Sequence, residues 1–203
     1  MPVSTVYLLR HGDCRRDDIS RYCGHVDPPL NKVGVSQALA WRQQLSDVTF
    51  SRVVCSDLCR SRETARLVGG GGAQPEEFPA LREIDMGVWD GRPMAEIRRE
   101  FPDDYACRGR EMATFRPPGG ESFADLAERV LPLFLDLVRG VTGDLLLVGH
   151  AGVNRVILCH LLGMPLANLF RIGQEYGCLN LIHRGRSAWC VRAVNIPASR
   201  NGD

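Results

Sequence analysis

Three short apolar runs in this chain each stop at reactive side chains, and a stretch of helical composition or spacing follows each. Val3–Leu9 halts at Arg10-His11-Gly12, Arg52–Cys55 leads through Ser56 toward Arg60, and Asp144–Val148 runs into Gly149-His150. Runs this short and this apolar predict buried strands. The helices expected nearby are Asn31–Leu45 with Asn31 as candidate cap, about Leu58–Val68 ended by the Gly69–Gly72 run, and Val153–Leu162 ended by Gly163. Leu179–His183 and Ala188–Val194 read as closing strands, turned at Arg184-Gly185-Arg186. Strands alternating with helices predict an α/β sandwich around a largely parallel sheet, spanning residues 1–203 as one domain.

The region 75–120 is less regular. Its six prolines (75, 79, 93, 102, 117 and 118) predict loops with one short helix near Met94–Glu100, and residues 92–120 are expected to form a lid. After it, Phe123, Leu126, Ala127, Val130, Leu131, Phe134, Leu137 and Val138 recur at helical spacing behind a Ser122/Asp125 cap. Pro132 inside that pattern predicts a kink or local break.

Composition excludes more than it selects. A net charge of +1 gives no global field to attract nucleic acid or a membrane surface. Lys32 is the only lysine among 25 basic residues, and arginine suits bidentate phosphate recognition, although a genome-wide bias explains the excess as well. The run MPVSTVYLLRHG reaches a charge within ten positions, so no secretory leader is expected, and no apolar run approaches a membrane span. Eight scattered cysteines without a Cys-x-x-Cys pair favour reduced thiols in a cytoplasm over a disulfide framework.

Ligands of open α/β sheets bind beyond the carboxyl ends of the strands. Parallel strands therefore bring Arg10, His11, Arg60 and His150 to one rim, although they are far apart in sequence. Two arginines clamp the oxygens of a phosphate dianion through charge-assisted hydrogen bonds. A histidine attacks phosphorus if one neutral ring nitrogen faces it while the other is held by a hydrogen bond. A leaving alkoxide needs a proton donor, either a carboxylic acid or a second imidazole.

Four motifs in order carry a resemblance: VYLLRHG near the start, SDLCRSRETA at 56–65, LREIDMGVWDG at 81–91 and LLVGHAG at 146–152. Together they resemble the histidine phosphatase superfamily, the phosphoglycerate-mutase-like group, in its first branch, from about residue 5 to about 183. The resemblance implies a three-layer α/β/α sandwich, no cofactor, no metal, and a small phosphate monoester as partner, with a homodimer left open. It implies His11 as the nucleophile that becomes phosphohistidine and Glu83 as general acid. Arg10, Arg60 and His150 complete the phosphate pocket, and the stretch around Arg21, Cys23 and Gly24 contacts substrate. One position departs: relatives often carry asparagine where this chain has Asp17. An ionised aspartate repels phosphate, so Asp17 either turns away or pairs with Arg15, Arg16 or Arg21.

The mutases of this group generally carry a longer insertion between general acid and second histidine. Here 66 residues separate Glu83 from His150, which favours hydrolysis. RYCGHVDPPLN at 21–31 and the stretch 149–182 resemble the alpha-ribazole phosphatases of cobalamin assembly. A mutase, a sugar (bis)phosphatase, a broad phosphatase and a phospho-ligand-binding module without turnover are the competing readings.

Each of these residues also has a simpler reading. Arg62 and Arg66 share the helix with Arg60, and Asp85 lies close enough to Glu83 to substitute for it. Glu121 and Ser122 either cap the long helix or contact substrate. His25 is expected near the pocket mouth, with His160 and His183 structural, and the histidine spacing does not suit zinc.

Overall fold

The computed structural model describes residues 5–70, 72, 74–140, 142–185 and 188–198. Val3 and Ser4 of the first expected strand, Gly71 of the glycine run and Arg186 of the last turn lie outside the described residues.

Six strands form one sheet in the order β3-β2-β4-β1-β5-β6. They are β1 Thr5–Arg10, β2 Phe50–Cys55, β3 Glu76–Glu77, β4 Asp144–Gly149, β5 Leu179–Arg184 and β6 Trp189–Ile196. β4 lies parallel between β1 and β2, and β3 adds a parallel edge to β2. β5 and β6 close the other side antiparallel. The register pairs Arg10 with Gly149 and Cys55 with Val148, so β1, β2 and β4 end level with one another.

Successive side chains of a strand point to opposite faces, and here both faces are covered. Leu8, Val54, Leu145 and Leu147 join one core cluster, while Leu9, Cys55, Leu146 and Val148 join the other. Helices α1 (Lys32–Gln44) and α2 (Cys59–Gly69) pack on the second face through Ala38, Trp41, Ala65 and Val68. The first face carries α5 (Phe123–Arg139) and α6 (Ala151–Leu162), with Val130, Phe134, Val153 and Ile157 inward. This is the expected three-layer α/β/α sandwich. Leu145 to Val148 are all 0% exposed, and each contributes roughly 1.5–3 kcal/mol by burial. The strand that delivers His150 is therefore the one least free to shift.

Two expectations need correction. Residues 92–120 hold two helices, α3 (Met94–Glu100) and α4 (Pro102–Arg110). Pro102, a loop signal in the sequence, occupies the first turn of α4, where proline's missing N–H has no partner to lose. Ile97 is buried, and Phe101, Tyr105, Met112 and Phe115 pack on the core. Pro132 does not break α5, which runs unbroken from Phe123 to Arg139. Pro132 and Glu128 both lie on the solvent face, so water can take the carbonyl that the missing N–H leaves free. The Ser122/Asp125 capping box forms as expected, and Asn31 caps α1 by accepting from the Gly34 N–H.

Candidate active site

β1 ends in Arg10, and the chain then turns through His11 and Gly12. The His11 N–H donates to the Gly149 carbonyl over 3.0 Å, locking this turn to the end of β4. A Cβ on Gly12 would lie 2.5 Å from the Gly34 carbonyl oxygen, so only glycine lets the turn pass against α1. The His11 ring is 4% exposed, and its Nδ1 lies 2.8 Å from the Gly12 carbonyl. A carbonyl only accepts, so Nδ1 carries the proton and Nε2 keeps its lone pair. Burial, then Arg60 and Arg10, hold His11 well below the usual histidine pKa. The ring is neutral at pH 7, as a nucleophile requires.

His150 stands at the N-cap of α6, directly after β4, and is fully buried. Its ring centroid lies 5.0 Å from that of His11, and its Nε2 is 2.7 Å from Ser56 Oγ. Burial, followed by Arg60, also holds its pKa well below the usual value. Its buried Nδ1 has no partner among the described residues.

Arg60 sits in the first turn of α2 at 0% exposure. Its guanidinium donates to the carbonyls of Val26 and Gly24, each over 2.7 Å, and its Nε is unpartnered among the described residues. The carboxylate recorded near it, Asp27, is 3.5 Å away and partly exposed. Thr64 ties this helix to the His11 turn by donating to the Arg60 carbonyl and accepting from the Gly12 N–H. Arg62, by contrast, faces Glu77 at the surface, which separates it from Arg60 as the sequence alone did not.

Arg10 donates to the Gln174 carbonyl over 2.5 Å, and its guanidinium lies 3.7 Å above the Tyr176 ring. Gln174 is 3% exposed and donates to Asn180, which donates in turn to the Leu8 carbonyl. A satisfied amide network therefore supports Arg10 from behind. Glu83 is 8% exposed, and its carboxylate accepts the Ile84 N–H over 2.9 Å and the Gly152 N–H over 3.0 and 3.1 Å. It thus rests on the first turn of α6, two residues beyond His150. Asp85 instead accepts from Gly87 and faces His25, so it does not reach that turn.

The mouth is built differently. A cavity of about 760 Å³ is lined by Arg10, Cys14, Arg15, Arg21, Cys23 and Tyr176, among others. Tyr176 links it to the interior, its ring 5.6 Å from that of His11. Arg21 is exposed and donates to Asp17 over 2.8 Å, so Asp17 takes the arginine-paired alternative. Cys23 lines the cavity, and Gly24 contributes the carbonyl that holds Arg60. His25 is not among the residues lining the cavity; its Nε2 lies 3.0 Å from the Glu83 carbonyl. Glu121 pairs with Arg129 and accepts the Asp85 N–H, while Ser122 caps α5.

Sequence reasoning missed Asp90 and gave no role to Tyr176. The Asp90 carboxylate accepts the N–H groups of Gly24, His25 and Val26 over 2.7–2.8 Å and so shapes the loop that grips Arg60. Asp90 follows Trp89 in a motif already noted, but nothing in its spacing indicates a partner 64–66 residues earlier. Among the described residues, no three His, Cys, Asp or Glu side chains gather as a metal site.

The histidine phosphatase superfamily (branch 1) profile matches residues 6–197. An adenosylcobalamin/alpha-ribazole phosphatase of Salmonella typhimurium is 34% identical over 180 residues, covering 87% of this chain and 89% of the relative. A glucosyl-3-phosphoglycerate phosphatase of Mycolicibacterium vanbaalenii is 34% identical over 177 residues, covering 83% and 78%. The crystal structure of a putative alpha-ribazole-5′-P phosphatase from Escherichia coli superposes with a TM-score of 0.87 at 28% identity, covering 95% of this chain and 96% of that one.

Proposed function

This chain belongs to branch 1 of the histidine phosphatase superfamily, and on that premise we propose that it hydrolyses a phosphate monoester through a phosphohistidine on His11. One observation carries the reading. Two neutral histidines and Arg60 are buried together, and the carboxylate paired with Arg60, the partly exposed Asp27, stands 3.5 Å away. A buried guanidinium answered only by a partly exposed carboxylate can still take up an anion, and a phosphate dianion offers it charge-assisted hydrogen bonds.

The His11 Nε2 lone pair attacks phosphorus while the bond from phosphorus to the ester oxygen breaks. Arg10, Arg60 and His150 face the equatorial oxygens, where the transition state spreads its charge. Glu83 passes a proton to the leaving oxygen and then takes one from the water that attacks the phosphohistidine. The P–N bond breaks, and inorganic phosphate and neutral His11 are left. Residues 92–120 serve as the pocket's cover, with Met94 reaching its lining.

The ester favoured is the 5′-phosphate of alpha-ribazole, formed during cobalamin assembly. The two stretches that carry this likeness, 21–31 and 149–182, both border the cavity, through Arg21, Tyr22, Cys23 and Val26 on one side and Tyr176 on the other. We place the enzyme in the cytoplasm, acting on a free small molecule; no described helix is long and apolar enough to cross a membrane. The equal identity to a glucosyl-3-phosphoglycerate phosphatase favours a sugar phosphoglycerate as the second reading.

A phosphate-release screen separates these readings. Alpha-ribazole phosphate, glucosyl-3-phosphoglycerate, 3-phosphoglycerate, fructose 2,6-bisphosphate and phosphoserine are compared by kcat/KM with chelator present throughout. Preference for alpha-ribazole phosphate is expected. If another ester is preferred, the narrower reading fails and the chemistry stands. If nothing turns over in chelator, the metal-free mechanism fails.

A further inference from the structure

The N–H groups of Ile84 and Gly152 hold the Glu83 carboxylate, but they aim it only if the Glu83 backbone is itself fixed. That backbone belongs to no helix or strand, and lies between the short turns Pro79–Leu81 and Gly87–Trp89. Its carbonyls must therefore find donors elsewhere. Arg129 of α5 supplies them. Its Nη1 donates to the carbonyls of Ala80 over 2.8 Å and Arg82 over 2.9 Å, and its Nη2 donates to that of Glu83 over 3.0 Å. The remaining donors go to Glu121, Nε to Oε1 and Nη2 to Oε2, each over 2.8 Å. All five N–H groups of the guanidinium are then used.

Glu121 holds the other flank of Glu83. Its Oε2 also accepts the Asp85 N–H over 3.0 Å, and its own N–H donates to the Asp85 carbonyl over 2.9 Å. A Cβ on Gly120 would lie 2.6 Å from that carbonyl, so the two segments meet closely. Arg129 and Glu121 are eight residues apart, so their pair is not a bridge between neighbouring turns of one helix. Both side chains are about three-quarters buried, and their bonds run to the backbone on either side of the carboxylate.

We propose that Arg129 and Glu121 are positioning residues, one ion pair that braces residues 80–85 from both flanks and keeps Glu83 directed at the leaving oxygen. This deepens the phosphatase reading and rests on Glu83 as its proton donor. Neither residue exchanges a proton in the reaction. Their effect is on geometry, and a displacement of about an ångström in a catalytic group is enough to cost about 10²-fold in rate. A brace that served only folding would affect every ester alike. A brace for the proton donor matters most where the leaving oxygen needs its proton most.

The test compares the full chain with Arg129→Met and Glu121→Gln on an alkyl ester, alpha-ribazole phosphate, and an aryl ester, para-nitrophenyl phosphate. For Arg129→Met, kcat/KM should fall by about 10²-fold on the alkyl ester and far less on the aryl ester. Glu121→Gln, which ends the ion pair but keeps an acceptor for the Asp85 N–H, should lose less, with the same dependence on leaving group. Amide exchange followed by NMR supplies a readout independent of turnover. The Ile84, Asp85 and Gly152 amides should exchange faster in Arg129→Met, by a larger factor than those of Leu146 and Leu147 in the sheet. Where Arg129→Met does not fold, Glu121→Gln carries both measurements. Equal losses on the two esters overturn the proposal, and so does unchanged exchange at the three amides. A chain in which those amides respond but neither ester is hydrolysed counts against the phosphatase reading and leaves the brace standing.

Discussion

Arg21 lines the cavity while Arg60 is buried behind it, and their charges are answered in different ways. Arg21 is exposed and already paired with Asp17, an arrangement that water and salt screen to little net worth. Arg60 is fully buried, held by two carbonyls, with two neutral histidines nearby and a carboxylate only at 3.5 Å. A carbonyl dipole steadies a guanidinium but does not cancel its charge, and Asp27 answers that charge only from the partly exposed side, so the buried arginine keeps more capacity for an anion than the screened pair at the mouth. A cationic side chain points to phosphate chemistry when its charge is buried rather than screened at the surface.

His11→Ala should have the largest effect, lowering kcat by about 10⁴-fold or more and removing any acid-labile phosphoenzyme. A phosphorylated residue elsewhere would move the nucleophile out of the interior. Arg60→Lys should come next, with a loss of about 10²–10³-fold in kcat/KM despite the retained charge, because an ammonium cannot reproduce the planar fork. Near-normal kinetics for that variant would erase the distinction between the two arginines.

Gly152→Ala should cost about 10²-fold in kcat, as misplaced catalytic groups do, since the new Cβ would stand 2.3 Å from Glu83 Oε1. The loss should be smaller for an aryl phosphate, whose leaving group needs less protonation. An equal loss on both esters would separate Glu83 from proton transfer.

The histidines also predict a pH effect on stability. Burial, then arginine charge, holds both below the ordinary 6.5 in the folded chain. Below that pH the unfolded chain takes up protons that the folded chain refuses, so their contribution is full above about 6.5 and is lost as pH falls toward the folded values. Melting temperature should drop between pH 7 and pH 5, and drop less in His150→Gln. A flat profile would mean that the interior is better solvated than its geometry indicates. Asp17→Asn should do least, changing kcat/KM by less than about threefold, since it removes only an exposed pair. A loss of the His11 type would show that the mouth takes part in the chemistry.

How far the site could be read in advance depended on how local its causes are. Arg10, His11 and His150 were legible because each ends an apolar run, and strand ends are visible in hydrophobic pattern. Arg60 needed motif register, since Arg62 and Arg66 share its helix and only packing separates them. Glu83 was named but its support was not, because Gly152 is 69 residues away in sequence. Asp90, Gln174 and Asn180 were invisible for the same reason. The expected break at Pro132 and the missed α4 after Pro102 share one cause: proline was read as a breaker without knowing which face, or which end, of a helix it would occupy.

The sequence by itself determined the alternation of strand and helix, the α/β class and the order in which the reactive residues arrive. These follow from hydrophobic period and chain-local caps, which need no distant partner. Only the tertiary structure decided which arginine is buried beside the histidines, which carboxylate rests on α6, and that Asp17 is spent on Arg21. Those outcomes depend on burial and on contacts between segments distant along the chain, and both arise only once the sheet has brought the strand ends together.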